Sequence, residues 1–354
     1  MTEEVFFMNI PAKSPFVLVT GGGGFIGSHL VEMLLEEKFR VRVLSYSPED
    51  ENFLKQAQVQ IVQGDIRDDE VLDKCVLGVD WVFHLACVSR YNANIQEKDY
   101  WEVNCRATES LLKKSFSADV KRFIHISSIE AVGYSQDGLP LNEQSPHHPR
   151  NIYGKTKLEG EKIALEFSRK TGMDVRVVRP PMTYGPREKV VFERMFRPIH
   201  SWGIYPLFGQ GKPWVEFCYV KNMVRGLLLV AEKGKAGEIY FLSDVRSYTF
   251  REVLETMAEI MGRPLRFIPI SDGMAWVLAC VFEGLAKIFP FYPFYIQATG
   301  CAPFSRRSLT WLLKSSVFCD ISKAQKELGF ASRYSLKEGL RETVSWYRAH
   351  GLLK

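Results

Sequence analysis

Five short, predominantly apolar runs set the strongest limit on what this chain can become: Phe16–Val19, Val41–Leu44, Trp81–His84, Phe123–Ser127 and Val175–Val178. A strand that carries apolar residues on both sides of its pleat is covered on both faces, which is the situation of a parallel sheet flanked by helices. Longer amphipathic stretches separate the runs, the first from Gly27 to Glu37. The pattern predicts an α/β fold with a doubly wound parallel sheet from Pro15 to about Pro180. After Pro180-Pro181 prolines and aromatics become frequent, and the regular alternation loosens. Two runs return, Glu216–Val220 and Glu238–Leu242, expected to rejoin the sheet or lie beside it, and from Tyr248 onward the chain reads as helical. The expected division is therefore one domain over 14–180, with return segments near 216–245, and a smaller, mainly helical one over 181–215 and 246–354.

Composition fits this. Of 354 residues, 46% are hydrophobic and 25% charged, the balance of a globular chain with a sizeable core. The net charge of +5 is spread without a basic stripe, which argues against nucleic acid as a partner. Seven widely spaced cysteines include no C-x-x-C pair, so neither a disulfide framework nor a metal site is indicated, and a reducing, cytoplasmic setting fits best. The first fourteen residues lack the basic start and apolar run of a secretory signal.

The segment Thr20-Gly21-Gly22-Gly23-Gly24-Phe25-Ile26-Gly27 follows the first strand and opens the first helix. Glycine is needed where the chain turns tightly and where backbone must approach a pyrophosphate held at a helix N-terminus. Gly21, Gly24 and Gly27 hold the spacing of a dinucleotide-binding loop, in the strand-loop-helix setting that such a loop requires. The second strand ends in Ser45, then Tyr46 and Ser47, where NAD binders carry a carboxylate for the ribose hydroxyls. No arginine stands there for a 2′-phosphate either. The cofactor is read as NAD or NADP, tilted toward NADP. Asp65, in Gly64-Asp65-Ile66, is a candidate acceptor for the adenine amino group, and a plain turn aspartate fits it equally.

Tyr153 and Lys157 stand four apart at the start of a predicted helix and so share one face. A phenol with a pKa near 10 is a poor base at neutral pH, and an adjacent ammonium brings it toward working range. Ser127 and Ser128 end the fourth strand, at the edge where such sheets bind ligands. A serine hydroxyl there is placed to hold a substrate oxygen while Tyr153 moves the proton; loop capping is the competing role.

With these elements the chain resembles the extended short-chain dehydrogenases/reductases. The likeness is carried by Thr20 to Gly27, Gly64-Asp65-Ile66, His84-Leu85-Ala86, Val103-Asn104, Ser127-Ser128, Tyr153 to Lys157, Arg179-Pro180 and Tyr184-Gly185-Pro186. It implies Tyr153 as acid/base, Lys157 as its modulator and ribose contact, and Ser128 as donor to the substrate oxygen. It further implies that Phe25, Ile26, Ile66, Leu85, Ala86 and Pro180 line the dinucleotide, that Asn104 is structural or relays protons, and that the chain forms a homodimer. Cys87 departs from the small residue usual after Ala86.

Two branches of that family compete for the substrate. Sugar-nucleotide epimerases and dehydratases carry an arginine that clamps the substrate diphosphate in a segment that here reads Gly209-Gln210-Gly211-Lys212-Pro213-Trp214-Val215-Glu216-Phe217. Valine at 215 cannot make that contact. The segment resembles instead the 3β-hydroxysteroid and sterol dehydrogenase branch, which implies an apolar secondary alcohol or ketone. Met274 to Phe289 repeats apolar residues at helical spacing over about 24 Å, short of the roughly 20 apolar residues of a membrane span. It is read as a buried helix, a lid, or, with the aromatic run to Tyr295, a peripheral membrane contact through 274–295. A protein that binds dinucleotide without catalysis is the remaining alternative, set against the presence of both Tyr153 and Lys157.

Overall fold

The computed structural model describes residues 14–46, 54, 59–89, 95–135, 138–189, 192–208, 211–212, 214–289, 305–306, 309 and 318–353. The amino-terminal stretch through Lys13, together with Gly209, Gln210, Pro213 and the run from Pro290 to Tyr295, lies outside them.

All five predicted runs form strands of one sheet: β1 (Phe16–Thr20), β2 (Arg40–Ser45), β4 (Trp81–His84), β5 (Arg122–Ile126) and β6 (Val175–Arg179). β3 (Gln60–Gln63) and β11 (Ile239–Phe241) complete it. The order is β11-β6-β5-β4-β1-β2-β3, parallel throughout. Alternate residues feed opposite cores, which explains the near-continuous apolar runs. Val17, Val19, Val41, Val43, Ile124 and Ile126 join Leu30 and Leu34 of α1 (Phe25–Glu36) on one face. Phe16, Leu18, Val82 and Phe123 join Leu72 of α2 (Asp69–Val76) and Leu111 on the other. The second core also takes in Ala164 of α5 (Ile152–Thr171). Two of these helices start on a recognisable signal: Asp68 caps α2 through Glu70 N, and Asn151 caps α5 through Gly154 N.

One long helical stretch changes its winding. α3 (Glu97–Trp101) passes through a π turn (Glu102–Arg106) into α4 (Ala107–Ser117), placing Asn104 in the turn. Beyond the sheet, β7 (Met182–Tyr184) pairs with β10 (Phe217–Tyr219), so the 216–220 run lies beside the sheet while β11 enters it. β8 (Ile204–Phe208) pairs with β13 (Arg266–Ile270), and β9 (Trp214–Val215) with β12 (Tyr248–Thr249). The remaining helices are α6 (Arg197–Trp202), α7 (Val220–Lys233), α8 (Phe250–Met261), α9 (Asp272–Ile288), α10 (Ser322–Leu328) and α11 (Leu336–Ala349). One apolar cluster runs from Val17 in β1 through Val224 of α7 to Val344 of α11. The reading of α9 as a buried helix is corrected. It buries Ala275, Ala279 and Ala286 and exposes Met274, Val277, Val281 and Ile288. Among the described residues no helix is long and apolar enough to cross a membrane.

Candidate active site

The winding direction of the sheet reverses between β1 and β4, and in open α/β sheets the ligand crevice opens at that point, beyond the strands' carboxyl ends. A cavity of about 870 Å³ occupies this place. It is walled by Gly21, Gly24, Phe25, Ile26 and Gly27 after β1, Asp65 and Ile66 after β3, Leu85 and Ala86 after β4, Ser128 after β5, Tyr153 and Lys157 of α5, and Pro180 after β6. Of the residues the sequence singled out for catalysis or cofactor contact, Ser45 alone is not on this wall. Its side chain is buried within the end of β2, and the flanking Leu44 and Tyr46 reach the cavity instead. A strand turns successive side chains to opposite faces, so the position one further along takes the exposed place.

The glycines meet the geometry expected of a phosphate cradle. Gly21 has φ +72°, and a Cβ there would lie 2.9 Å from Ala86 N, so the loops after β1 and β4 touch through backbone. At Gly27 a Cβ would lie 2.1 Å from Gly21 O, and at Gly24 it would meet only Gly21 O, at 3.2 Å. Ser28 N closes the first helical turn on Gly24 O at 2.8 Å. A bare backbone loop leading into a helix N-terminus fits a dinucleotide's pyrophosphate.

Beneath the loop a chain of buried hydrogen bonds fixes the switch point. Ala86 N donates to Thr20 Oγ1 (3.2 Å), Thr20 Oγ1 lies 2.8 Å from His84 Nδ1, and His84 Nε2 lies 2.9 Å from Thr108 Oγ1. Thr108 Oγ1 donates its own proton to Asn104 O (3.0 Å), so it accepts from His84 Nε2–H, and Nδ1 accepts from Thr20. Full burial, with the Lys157 ammonium adding to it, pushes the His84 imidazole down to about 3, so it stays neutral. Asn104 is occupied at both ends: its Oδ1 accepts from Val88 N (2.8 Å) and its Nδ2 donates to Thr156 Oγ1 (3.0 Å). That is a structural tie between the π turn, the loop after β4 and α5. Gly160 lets α5 approach, since a Cβ there would lie 2.5 Å from Asn104 O.

On that helix Lys157 is buried and its Nζ donates to Ile126 O at 2.5 Å, leaving two N–H donors for other acceptors. Burial lowers its pKa. Tyr153, one turn earlier, packs its ring against Val88 and Tyr100. Ser128 Oγ accepts from Glu130 N (3.2 Å), capping the short 3₁₀ turn Ile129–Ala131. That bond uses an acceptor lone pair, and the hydroxyl proton stays available to a substrate oxygen.

Several wall residues escaped the sequence reading. Tyr46 and Arg67 join Asp65 at the β2/β3 end. Arg67 holds Asp65 through Nε and Nη2 (3.0 and 2.5 Å) and lies 3.6 Å from Asp99; this pairing keeps the Asp65 carboxyl below its usual range. Glu130, Arg150 and Glu216 line the opposite end. Position 67 lies only two beyond Asp65, and Glu216 stood beside Val215, so proximity to motifs was the available signal. Val215 itself is on the wall, with Ile95, Val103, Met182 and Phe217.

A parallel sheet with a glycine cradle at its switch point and a Ser-Tyr-Lys set at the next strand end defines a dinucleotide-dependent oxidoreductase fold. The chain belongs to the NAD dependent epimerase/dehydratase family, whose sequence profile matches residues 17–243. This is the extended short-chain dehydrogenase/reductase group, and its members are NAD-dependent enzymes. It is 27% identical over 361 residues to a 3beta-hydroxysteroid-dehydrogenase/decarboxylase of Arabidopsis thaliana, covering 95% of this chain and 80% of that one. It is 28% identical over 353 residues to dTDP-glucose 4,6-dehydratase of Streptomyces niveus, covering 94% and 92%. The solved DesIV, a dTDP-glucose 4,6-dehydratase from Streptomyces venezuelae with NAD bound, superposes with a TM-score of 0.72 at 28% identity, covering 94% and 97%.

Proposed function

We propose that this chain is an NAD-dependent dehydrogenase or reductase interconverting a secondary alcohol and a ketone on an apolar substrate. The observation that carries the reading is Val215 on the cavity wall, which also holds Ile95, Val103, Met182 and Phe217, at the position where sugar-nucleotide relatives carry the arginine that clamps the diphosphate; Arg150, a guanidinium on the same wall, lies over the Tyr134 ring. The Ser128, Tyr153 and Lys157 set faces the same cavity. NAD is favoured over the NADP to which the sequence tilted, because the guanidinium at the adenosine end is engaged by Asp65 and Asp99, and a 2′-phosphate would have to displace two carboxylates.

When bound, the nicotinamide supplies a hydride acceptor or donor. In the oxidative direction Ser128 holds the substrate hydroxyl through its free O–H, and Tyr153 accepts the hydroxyl proton. Lys157, with its ammonium fixed on Ile126 O, favours the phenolate that makes this possible. Reduction reverses the same transfers. An apolar substrate partitions into lipid, and the exposed face of α9 (Val277 63%, Ile288 69%) is the surface offered to a bilayer in this reading.

Tyr153→Phe should abolish turnover of a hydroxysteroid substrate while NADH, followed by fluorescence titration, still binds and does so more tightly than NADPH. Retained turnover in that variant removes the assignment. Thermal stabilisation by a UDP- or dTDP-sugar, without response to hydroxysteroids, would transfer it to the epimerase/dehydratase reading.

A further inference from the structure

We propose that the hydroxyl of Ser127 is a hydrogen-bonding contact for the nicotinamide half of the dinucleotide, an assignment that rests on the NAD-dependent reading of the cavity. Ser127 directly follows β5, and its backbone is spoken for: N–H donates to Val178 O at 2.7 Å and so extends the β5–β6 ladder. Its side chain is 3% exposed, lines the cavity, and its Oγ has no hydrogen-bond partner among the described residues. Buried hydroxyls are nearly always paired, and one that is unpaired at a cavity wall marks a place where a ligand atom completes the bond. Capping, the competing role, is performed by its neighbour: Ser128 Oγ takes the Glu130 N–H.

Position along the sheet edge says which part of the ligand arrives. The order β5-β4-β1-β2-β3 puts the glycine cradle over β1 and the Tyr46, Asp65 and Arg67 group beyond β2 and β3. A dinucleotide whose phosphates lie on the cradle and whose adenosine lies over β2 and β3 extends its other half over β4 and β5. Ser127 stands there, on the strand face shared with Phe123 and His125, and Phe123 packs in the same cluster as Ala164 of α5. The Lys157 ammonium reaches the same stretch of wall through Ile126 O, one residue before Ser127. One donor-acceptor hydroxyl and one ammonium with two unassigned donors suit the ribose hydroxyls or carboxamide of the nicotinamide half.

The test is Ser127→Ala, read by binding. Fluorescence titration with NADH should show a dissociation constant raised about threefold to tenfold, the range of one neutral hydrogen bond, while ADP, which lacks the nicotinamide half, binds as to the unmodified protein. The melting temperature of the ligand-free variant should equal or exceed that of the parent, because nothing internal is bonded to the hydroxyl. Unchanged NADH affinity overturns the proposal. So does an equal loss for ADP, or a lowered melting temperature, which would mean that the hydroxyl serves the cradle or the fold. If the unmodified protein fails to bind NADH at all, the NAD reading itself falls, and this contact with it.

Discussion

Replacing Glu216 by glutamine should make the protein more stable at pH 8 than its parent and bring no such gain at pH 4.5. Glu216 is 4% exposed and accepts hydrogen bonds from Ser243 Oγ (2.5 Å), Ser247 Oγ (2.9 Å) and Cys319 N (3.2 Å). These bonds favour the charged form, but burial outweighs them, and the nearby Asp244 adds to it, raising the carboxyl from 4.5 to about 7. A carboxyl with a raised native pKa binds its proton more tightly folded than unfolded, so stability falls as pH rises between 4.5 and 7, and the loss is complete above 7. At 1.36 kcal/mol per pH unit that window is worth about 3 kcal/mol as an upper figure. Glutamine keeps an acceptor for one serine and carries no charge, so urea titrations at the two pH values should show the variant gaining about 2–3 kcal/mol on its parent at the higher one. Buried His29 (lowered to about 4) and His84 (to about 3) produce the opposite slope below pH 6.5 in both proteins and cancel in the difference. Parallel pH profiles for parent and variant would refute the reasoning, because they would mean Glu216 is ionised across the whole range in the native state.

Gly27→Ala should reduce NADH affinity by well over about tenfold, since its Cβ would stand 2.1 Å from Gly21 O and the cradle would have to open. Gly273→Ala, where a Cβ meets nothing within 4 Å, is the control, and equal binding by both variants would sink the cradle assignment. The native chain should co-sediment with phosphatidylcholine vesicles, and the double substitution Val277→Glu with Val281→Glu should release it without lowering the melting temperature, because both side chains are exposed. A native protein that stays in the supernatant would remove α9 as a lipid contact.

The five strands read from the apolar runs were legible because each is covered on both faces, and that demand writes itself into consecutive residues: Val17 and Leu18 serve different cores, yet both must be apolar. The glycine loop and the Tyr153–Lys157 pair, which share the cavity wall, were legible because glycine loops and Tyr-x-x-x-Lys are local patterns. What stayed hidden depends on distant packing. Ser45 was placed on the cavity by counting to the end of a strand, but the pleat turned Tyr46 outward instead. Arg67 was invisible as a site residue because its approach to Asp99 depends on where α3 lies. The apolar periodicity of α9 gave no sign of which face is buried: alanines pack inward and the large side chains face outward, the reverse of the usual pattern.

The same geometry explains why fold and chemistry were easier to read than substrate. The cavity follows the carboxyl ends of successive strands, and the groups there answer the general requirements of holding a dinucleotide and moving a proton: a bare cradle, and a buried lysine one helical turn from a tyrosine. In the proposed reading the substrate is met by Ile95 before α3, Met182 of β7, Val215 of β9 and Phe217 of β10, all on the cavity wall. Those side chains come from segments outside the seven-stranded sheet, where no chemical step constrains residue type and only the ligand's polarity does. A valine at 215 in place of an arginine alters no strand and no hydrogen bond of the cradle, and in the proposed reading it offers hydrocarbon a wall where phosphate oxygens would need a cation. In the proposed reading specificity can therefore change without disturbing the Ser-Tyr-Lys set, which is why the cavity wall near Val215 is the place to test for what the chain transforms.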